Sequence, residues 1–229
     1  MWLLSKRLTV ADCGILRGFT DYHSHILPGV DDGSSDMDES LSILSQMEAS
    51  GVASVWLTPH IMDDIPNETD MLKEKFATLS AIYTGTIHLH LAAEYMLDSL
   101  FDERLVSNDI LPLTADKNYL LVETSTFFSP VDMSEKLSFI KSRGYVPLLA
   151  HPERYEYMQM SQYFSLKSQN ISFQMNLSSL AGMYGDRARI RAEKLLKLGL
   201  YDKIGSDTHS LGYFNRLKGS YLRHNNLFL

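Results

Sequence analysis

The chain has 229 residues, 45% of them hydrophobic, enough to bury the core of one large domain. A formal net charge of −7 and a pI near 5.6 exclude affinity built on neutralising nucleic-acid phosphates, which needs a basic face. Cys13 is the single cysteine, which excludes intrachain disulfides and Cys-based metal clusters and fits a reducing cytoplasm.

The start, Met1-Trp2-Leu3-Leu4-Ser5-Lys6-Arg7, is apolar and then charged, the reverse of a secretory signal. No stretch approaches the ~20 apolar residues of a membrane span, so a cytoplasmic protein without membrane insertion is expected. Residues 1–18 read as an N-terminal extension of a single domain covering 1–229. Short apolar or β-branched runs then mark strands at 19–25, 53–60, 87–94, 119–123, 146–151, 171–177 and 203–207. Helical patterns alternate with them at 40–49, 67–83, 134–143 and 186–198. The first opens on Asp36, Asp38 and Glu39, and Gly51, Gly144 and Gly199 stand just past three of the ends. Such β-α alternation predicts an α/β fold with a parallel sheet, and seven or eight units in this length suggest a closed barrel with its chemistry at the C-terminal strand ends.

Eight metal-binding side chains fall at those ends: His23, His25, His60, Glu94, Glu123, His151, Asp207 and His209. Each is costly to hold among apolar residues unless paired or bound to a cation, so the set points to one shared polynuclear site. In His23-Ser24-His25 and Asp207-Thr208-His209, strand alternation is expected to put both side chains on one face. His60 follows Pro59, which stops a ladder; alone it also reads as a hydrogen-bonded surface histidine. Glu94 and Glu123 cap runs expected to be buried, and a buried Glu must be paired, protonated or metal-bound. Imidazoles with carboxylates and no thiolate suit Mn²⁺, Fe or Zn²⁺, and eight ligands suit two or three ions. His88 and His90 share a face with Glu94 but lie ~13 to 20 Å down the strand, and they are assigned to the floor or surface; His224 is expected in solvent. Arg154 is the candidate phosphate binder, because a guanidinium offers bidentate donors; its other reading is a salt bridge to Glu153 or Glu156. Asp32, in Gly29-Val30-Asp31-Asp32-Gly33, reads as a ligand, a proton donor or a turn former.

At these residues the chain resembles the polymerase-and-histidinol-phosphatase (PHP) superfamily. Within it, the chain is similar to the bacterial manganese-dependent protein-tyrosine phosphatases of capsule and exopolysaccharide operons. The stretches that carry this are residues 21–33, which contain H-x-H-I-L-P-G-x-D-D-G, Thr58-Pro59-His60, Ala93-Glu94, Val122-Glu123, Ala150-His151-Pro152-Glu153-Arg154-Tyr155, Gln174-Met175-Asn176-Leu177 and Ser206-Asp207-Thr208-His209. The resemblance implies a distorted (β/α)7 TIM-like barrel, the PHP fold. It implies the eight residues above as ligands of two or three divalent ions, manganese first, with iron, zinc, magnesium or cobalt as alternatives. It also implies Arg154 on the substrate phosphate, Asp32 as the active-site acid, and a phosphotyrosine partner, the tail of a bacterial tyrosine kinase. Where such enzymes often carry another arginine shortly after the D-x-H pair, this chain has Ser210-Leu211-Gly212-Tyr213-Phe214-Asn215 before Arg216.

The expected chemistry is attack by a metal-bound hydroxide, since Cys13 lies outside the ligand set and no Cys-x5-Arg loop exists. A phenolate, with a reference pKa near 10, leaves readily, and Asp32 or His209 is placed to assist. The rivals are a PHP phosphatase for a small ester such as histidinol phosphate and a non-catalytic kinase-binding regulator. Nuclease activity ranks lower, for want of a basic face.

Overall fold

A computed structural model describes residues 8–223; residues 1–7, His224 and the apolar end at 225–229 lie outside them. In chain order the elements are β1 (Leu8–Thr9), β2 (Thr20–Ser24), α1 (Met37–Ala49), β3 (Ser54–Leu57), β4 (His60–Ile61), α2 (Thr69–Ile82), β5 (His88–Leu91), β6 (Glu94–Met96), α3 (Ser99–Ser107) and β7 (Leu113–Thr114). There follow β8 (Asn118–Glu123), α4 (Met133–Ser142), β9 (Val146–Ala150), a 3-10 turn (Pro152–Arg154), α5 (Met160–Ser168), β10 (Ser172–Asn176), α6 (Leu177–Leu180), α7 (Gly185–Lys197), β11 (Lys203–Gly205), α8 (Leu211–Gly219) and β12 (Tyr221–Leu222).

Every expected strand region carries a strand, and 53–60 and 87–94 each carry two, because the chain breaks inside them. Pro59 has no amide hydrogen for a ladder, and its carbonyl instead accepts from Glu94 N at 3.0 Å. Upstream of the breaks, β2, β3 and β5 form one parallel sheet; downstream, β4 and β6 join a second sheet in the order β11-β10-β9-β8-β6-β4, with β7 antiparallel on β8. Two strands that switch sheets curl the whole parallel surface. At the opposite side the segment just past β11 meets the end of β2 through His25 N to Thr208 O at 2.9 Å and Asp207 N to His23 O at 2.8 Å.

Parallel strands covered on both faces read as unbroken apolar runs. Leu120, Val122 and Leu149 pack in the main core; Leu121, Leu148 and Ala150 join Trp56, Ala92, Leu113 and Tyr119 in a small second cluster. Helix α1 begins at Met37 because the Asp36 side chain accepts from Glu39 N, and the chain leaves it through Gly51 at φ 89°. The nine-residue helices α3, α5 and α8 are too short to show a periodic pattern in sequence. Residues 8–18, read as an extension, supply Val10 and Leu16 to the core, and β1 pairs with β12. No helix among the described residues is long and apolar enough to cross a membrane.

Candidate metal centre

The site forms where strand ends converge. His23 closes β2 one residue before its last, and Gly205 of β11 packs so tightly against it that a Cβ there would collide with the His23 side chain. His23 and His25 aim their Nε2 atoms at each other, 3.0 Å apart. Their Nδ1 atoms are occupied: His23 Nδ1–H donates to Gln174 Oε1 and His25 Nδ1–H to Asp31 Oδ2, each at 2.9 Å. Oxygen partners on Nδ1 leave both Nε2 lone pairs facing inward, the arrangement a metal-binding histidine needs.

His60 and Glu94 open β4 and β6 and are register partners, and Glu123 ends β8 opposite Met96. Asp207 and His209 correct the alternation expectation: β11 stops at Gly205, so neither lies on a strand. A turn presents them instead, with Asp207 at φ 57°, and His151 beyond β9 is at φ 33°. Side chains in this left-handed region cost on the order of 1–3 kcal/mol each, and such strain concentrates at functional sites.

All eight residues come together, and Asp32 joins them. Four overlapping groups have ligand atoms within 4.8 Å of one another: His25, Asp32, His60 and His209; His23, His25 and Asp207; His23, Glu94 and His151; His60, Glu94 and Glu123. Glu94 is the hub, its Oε2 lying 3.1 Å from His23 Nε2, 3.3 Å from His25 Nε2 and 3.2 Å from His60 Nδ1, with Oε1 3.2 Å from His151 Nε2. Glu94 Oε2, His60 Nδ1 and His151 Nδ1 are buried without a hydrogen bond. Orphaned buried donors and acceptors, oxygen and nitrogen ligands only, and more groups than one ion can use all fit a cluster of divalent ions.

Electrostatics agrees. Burial opposes a charged His23, yet Glu94 and Asp207 beside it outweigh burial and raise the ring to about 9. Burial likewise opposes the His25 cation, and contacts to Asp207, Asp31 and Glu94 lift it well above its usual value. Burial disfavours the Glu94 and Asp207 carboxylates, but neighbouring imidazoles, His23 first, hold both well below the usual range. Without metal the protein therefore stores protons where ions would sit. The stabilisation from the His23 cation is complete below its ordinary 6.5 and is lost as pH rises through about 9, while ion affinity rises over the same window. Titrating Mn²⁺ into stripped protein at pH 7 in two buffers of different ionisation enthalpy should register net proton release; zero release would contradict this charge balance.

Asp31 is the functional residue that sequence reasoning missed beside Asp32. Its side chain is fully buried and also accepts from His60 N and Gly33 N, each at 3.0 Å. Burial opposes its charge, but His25 lowers it to about 2. Asp31→Asn should weaken metal binding about 10- to 100-fold, read by a competing chelator. Gln174 and Asn176, on β10, brace the site as well. Gln174 Oε1 also accepts from His151 N at 3.3 Å, and Asn176 Nδ2 donates to Asp207 Oδ2 at 2.7 Å.

Six of the ligand residues, all but the fully buried His23 and His25, line a cavity of about 300 Å³, which Asp32, Met62, Arg154, Tyr184 and Tyr213 complete. Arg154 pairs with Asp207 at 3.1 Å, not with Glu153 or Glu156, and its guanidinium stacks 4.2 Å above the Tyr184 ring. Tyr184 donates to Asp207 Oδ2 at 3.1 Å and lies 2.9 Å from the Tyr213 hydroxyl. Arg216 is exposed and lines no part of this cavity; Tyr213, three residues earlier, does. His88 is exposed, His90 stacks on Trp56 at 4.6 Å, and Cys13 donates to Val10 O at 3.2 Å, all apart from the cavity lining.

Comparison with known proteins places the chain among phosphatases. Tyrosine-protein phosphatase CpsB of Streptococcus pneumoniae is 29% identical over 217 residues, covering 83% of each chain. Tyrosine-protein phosphatase YwqE of Bacillus subtilis is 26% identical over 197 residues, covering 83% of this chain and 77% of the relative. A chain from the crystal structures of YwqE and CpsB, described as unique metal-dependent tyrosine phosphatases, superposes with a TM-score of 0.71 at 24% identity, covering 84% of this chain and 80% of that one. The model of the family described as "Capsular polysaccharide synthesis, CpsB/CapC" matches residues 19–216, and the chain belongs to that family.

Proposed function

We propose that this chain is a metal-dependent protein-tyrosine phosphatase of capsular or exopolysaccharide synthesis. Its substrate would be a phosphotyrosine protein of the cytoplasm, a bacterial tyrosine kinase tail first. The observation that carries the reading is the convergence of His23, His25, His60, Glu94, Glu123, His151, Asp207 and His209 under one cavity with Arg154 in its wall. The names of its relatives support the activity. In fold terms we read the curled sheet as a distorted barrel of seven β/α units.

In this reading the eight residues hold two or three divalent ions, manganese first. Bound ions supply Lewis-acid polarisation of the phosphate and a nucleophilic water at neutral pH. Arg154 holds the nonbridging phosphate oxygens with the guanidinium donors that Asp207 leaves free. The Tyr184 ring keeps that guanidinium in plane, and Tyr213 adds a neutral hydroxyl to the same wall. Asp32 Oδ1, 3.5 Å from His209 Nε2 and 3.6 Å from His60 Nε2, stands at the open edge with His209. Asp32, which is not among the eight ion-holding residues, is placed to deliver a proton to the departing phenolate oxygen. Tyr213→Phe should raise KM for a phosphotyrosine peptide about threefold to tenfold with little change in kcat, the loss of one hydrogen bond to a charged group.

The deciding test is phosphate release from a phosphotyrosine peptide by protein stripped and reloaded with Mn²⁺, beside His151→Ala and beside histidinol phosphate. Metal-dependent turnover of the peptide, lost in the variant, is expected. Consumption of histidinol phosphate alone would move the substrate to small esters. Stoichiometric kinase binding without turnover would make the chain a regulator.

A further inference from the structure

A second cavity, of about 220 Å³, adjoins the metal cavity and shares Arg154 and Tyr184 with it as a common wall. Its rims come from two elements. Thr126 and Phe127 follow β8, and Arg187 and Arg191 lie on α7. Phe127 is 61% exposed and is followed by Phe128 and Val131, also exposed, an apolar ridge unusual for a surface loop.

The charge of this groove opposes that of the molecule. Three arginines line it, against a formal net charge of −7 overall. Of its two acids, Glu153 is buried, and its two carboxyl oxygens are taken by Asn176 N and the Tyr201 hydroxyl, each at 2.9 Å. Glu156 is half exposed and lies 3.7 Å from Arg187. Arg191 is a brace, donating to the carbonyls of Glu153 at 3.1 Å and Tyr155 at 2.5 Å. Arg154 serves the first cavity. Arg187 is 86% exposed, and among the described residues its ion pair is that long contact to Glu156, which leaves its guanidinium available to a ligand.

We propose that the groove between Phe127 and Arg187 receives the substrate chain beside its phosphotyrosine and selects an acidic side chain there. This rests on reading the metal cavity as a tyrosine phosphatase site. A phosphotyrosine whose phosphate reaches Arg154 must carry its neighbouring residues across the shared wall. One neighbour then lies against the Phe127 ring and another within reach of the Arg187 guanidinium, giving affinity through apolar contact and choice through charge.

The test uses Mn²⁺-loaded protein and three substrates: free phosphotyrosine, a phosphotyrosine peptide with glutamates on both sides, and the same peptide with glutamines. The readout is the ratio of kcat/KM for the acidic over the glutamine peptide within each protein. Wild type should favour the acidic peptide about threefold to fivefold, chiefly through KM, and the ratio should shrink at high ionic strength. Arg187→Glu should bring the ratio to one or below, with an unfolding midpoint and metal content matching wild type. Phe127→Ala should raise KM for both peptides alike. Turnover of free phosphotyrosine with no peptide preference in wild type, or a preference that survives Arg187→Glu, would overturn the groove alone. Absence of turnover on all three substrates would overturn the phosphatase reading and the groove with it.

Discussion

Replacing Glu94 with alanine should empty the site of metal and destabilise the stripped protein by about 3–5 kcal/mol at pH 7, the cost of leaving buried charge without its partner. Glu94 is fully buried, and His23, His25, His60 and His151 all lie within 3.3 Å of its two oxygens. At pH 7 the stripped protein holds His23 charged, since its ring is raised to about 9, and Glu94 is the first carboxylate responsible. Without it the imidazolium keeps Asp207, 3.5 Å away, and faces His25 across 3.0 Å. Urea unfolding of chelated wild type and variant gives the difference directly, and elemental analysis after reloading gives metal content. Glu94→Gln separates shape from charge: it keeps the side-chain volume and should still lose the ions. A stripped variant as stable as wild type would mean that the imidazoles there are neutral, against the charge balance derived above.

Arg154→Lys should lower kcat/KM for a phosphotyrosine peptide about 100-fold while leaving the metals bound. Removal of one preorganised donor to developing charge typically has this effect, and an ammonium cannot reproduce the bidentate, stacked geometry of a guanidinium. The side chain is three-quarters buried, held between Asp207 and the Tyr184 ring, and it still lines the cavity. Asp207 keeps donors from Asn176 and Tyr184 after the change, so its position should survive. Loss of metal in step with activity would instead make Arg154 a brace for Asp207.

Legibility in the sequence followed the range of the forces involved. Strands buried on both faces appear as apolar runs such as Leu120-Leu121-Val122, and helix α1 announces itself through Asp36 and Gly51, because those signals are local. The breaks at Pro59 and at Ala92-Ala93 were half visible. Proline marks an interruption, but nothing local says that the chain resumes in another sheet. The turn that presents Asp207 and His209 was hidden, since the left-handed Asp207 is tied down by the hydrogen bond its backbone N–H donates to His23 O, 184 residues earlier in the chain.

The same division holds for the chemistry. The sequence by itself determined the inventory: which residues are acids and imidazoles, that they end apolar runs, and that no thiolate competes, because residue type and burial pattern are written along the chain. Only the tertiary structure decided that Asp31, not its neighbour Asp32, orients His25, and that Asp32 stands at the open edge. It alone made Glu94 the hub, paired Arg154 with Asp207, put Tyr213 in the cavity wall in place of Arg216, and set a cationic groove beside the site. These depend on distances between residues far apart in sequence, and packing of the curled sheet, not local propensity, sets those distances.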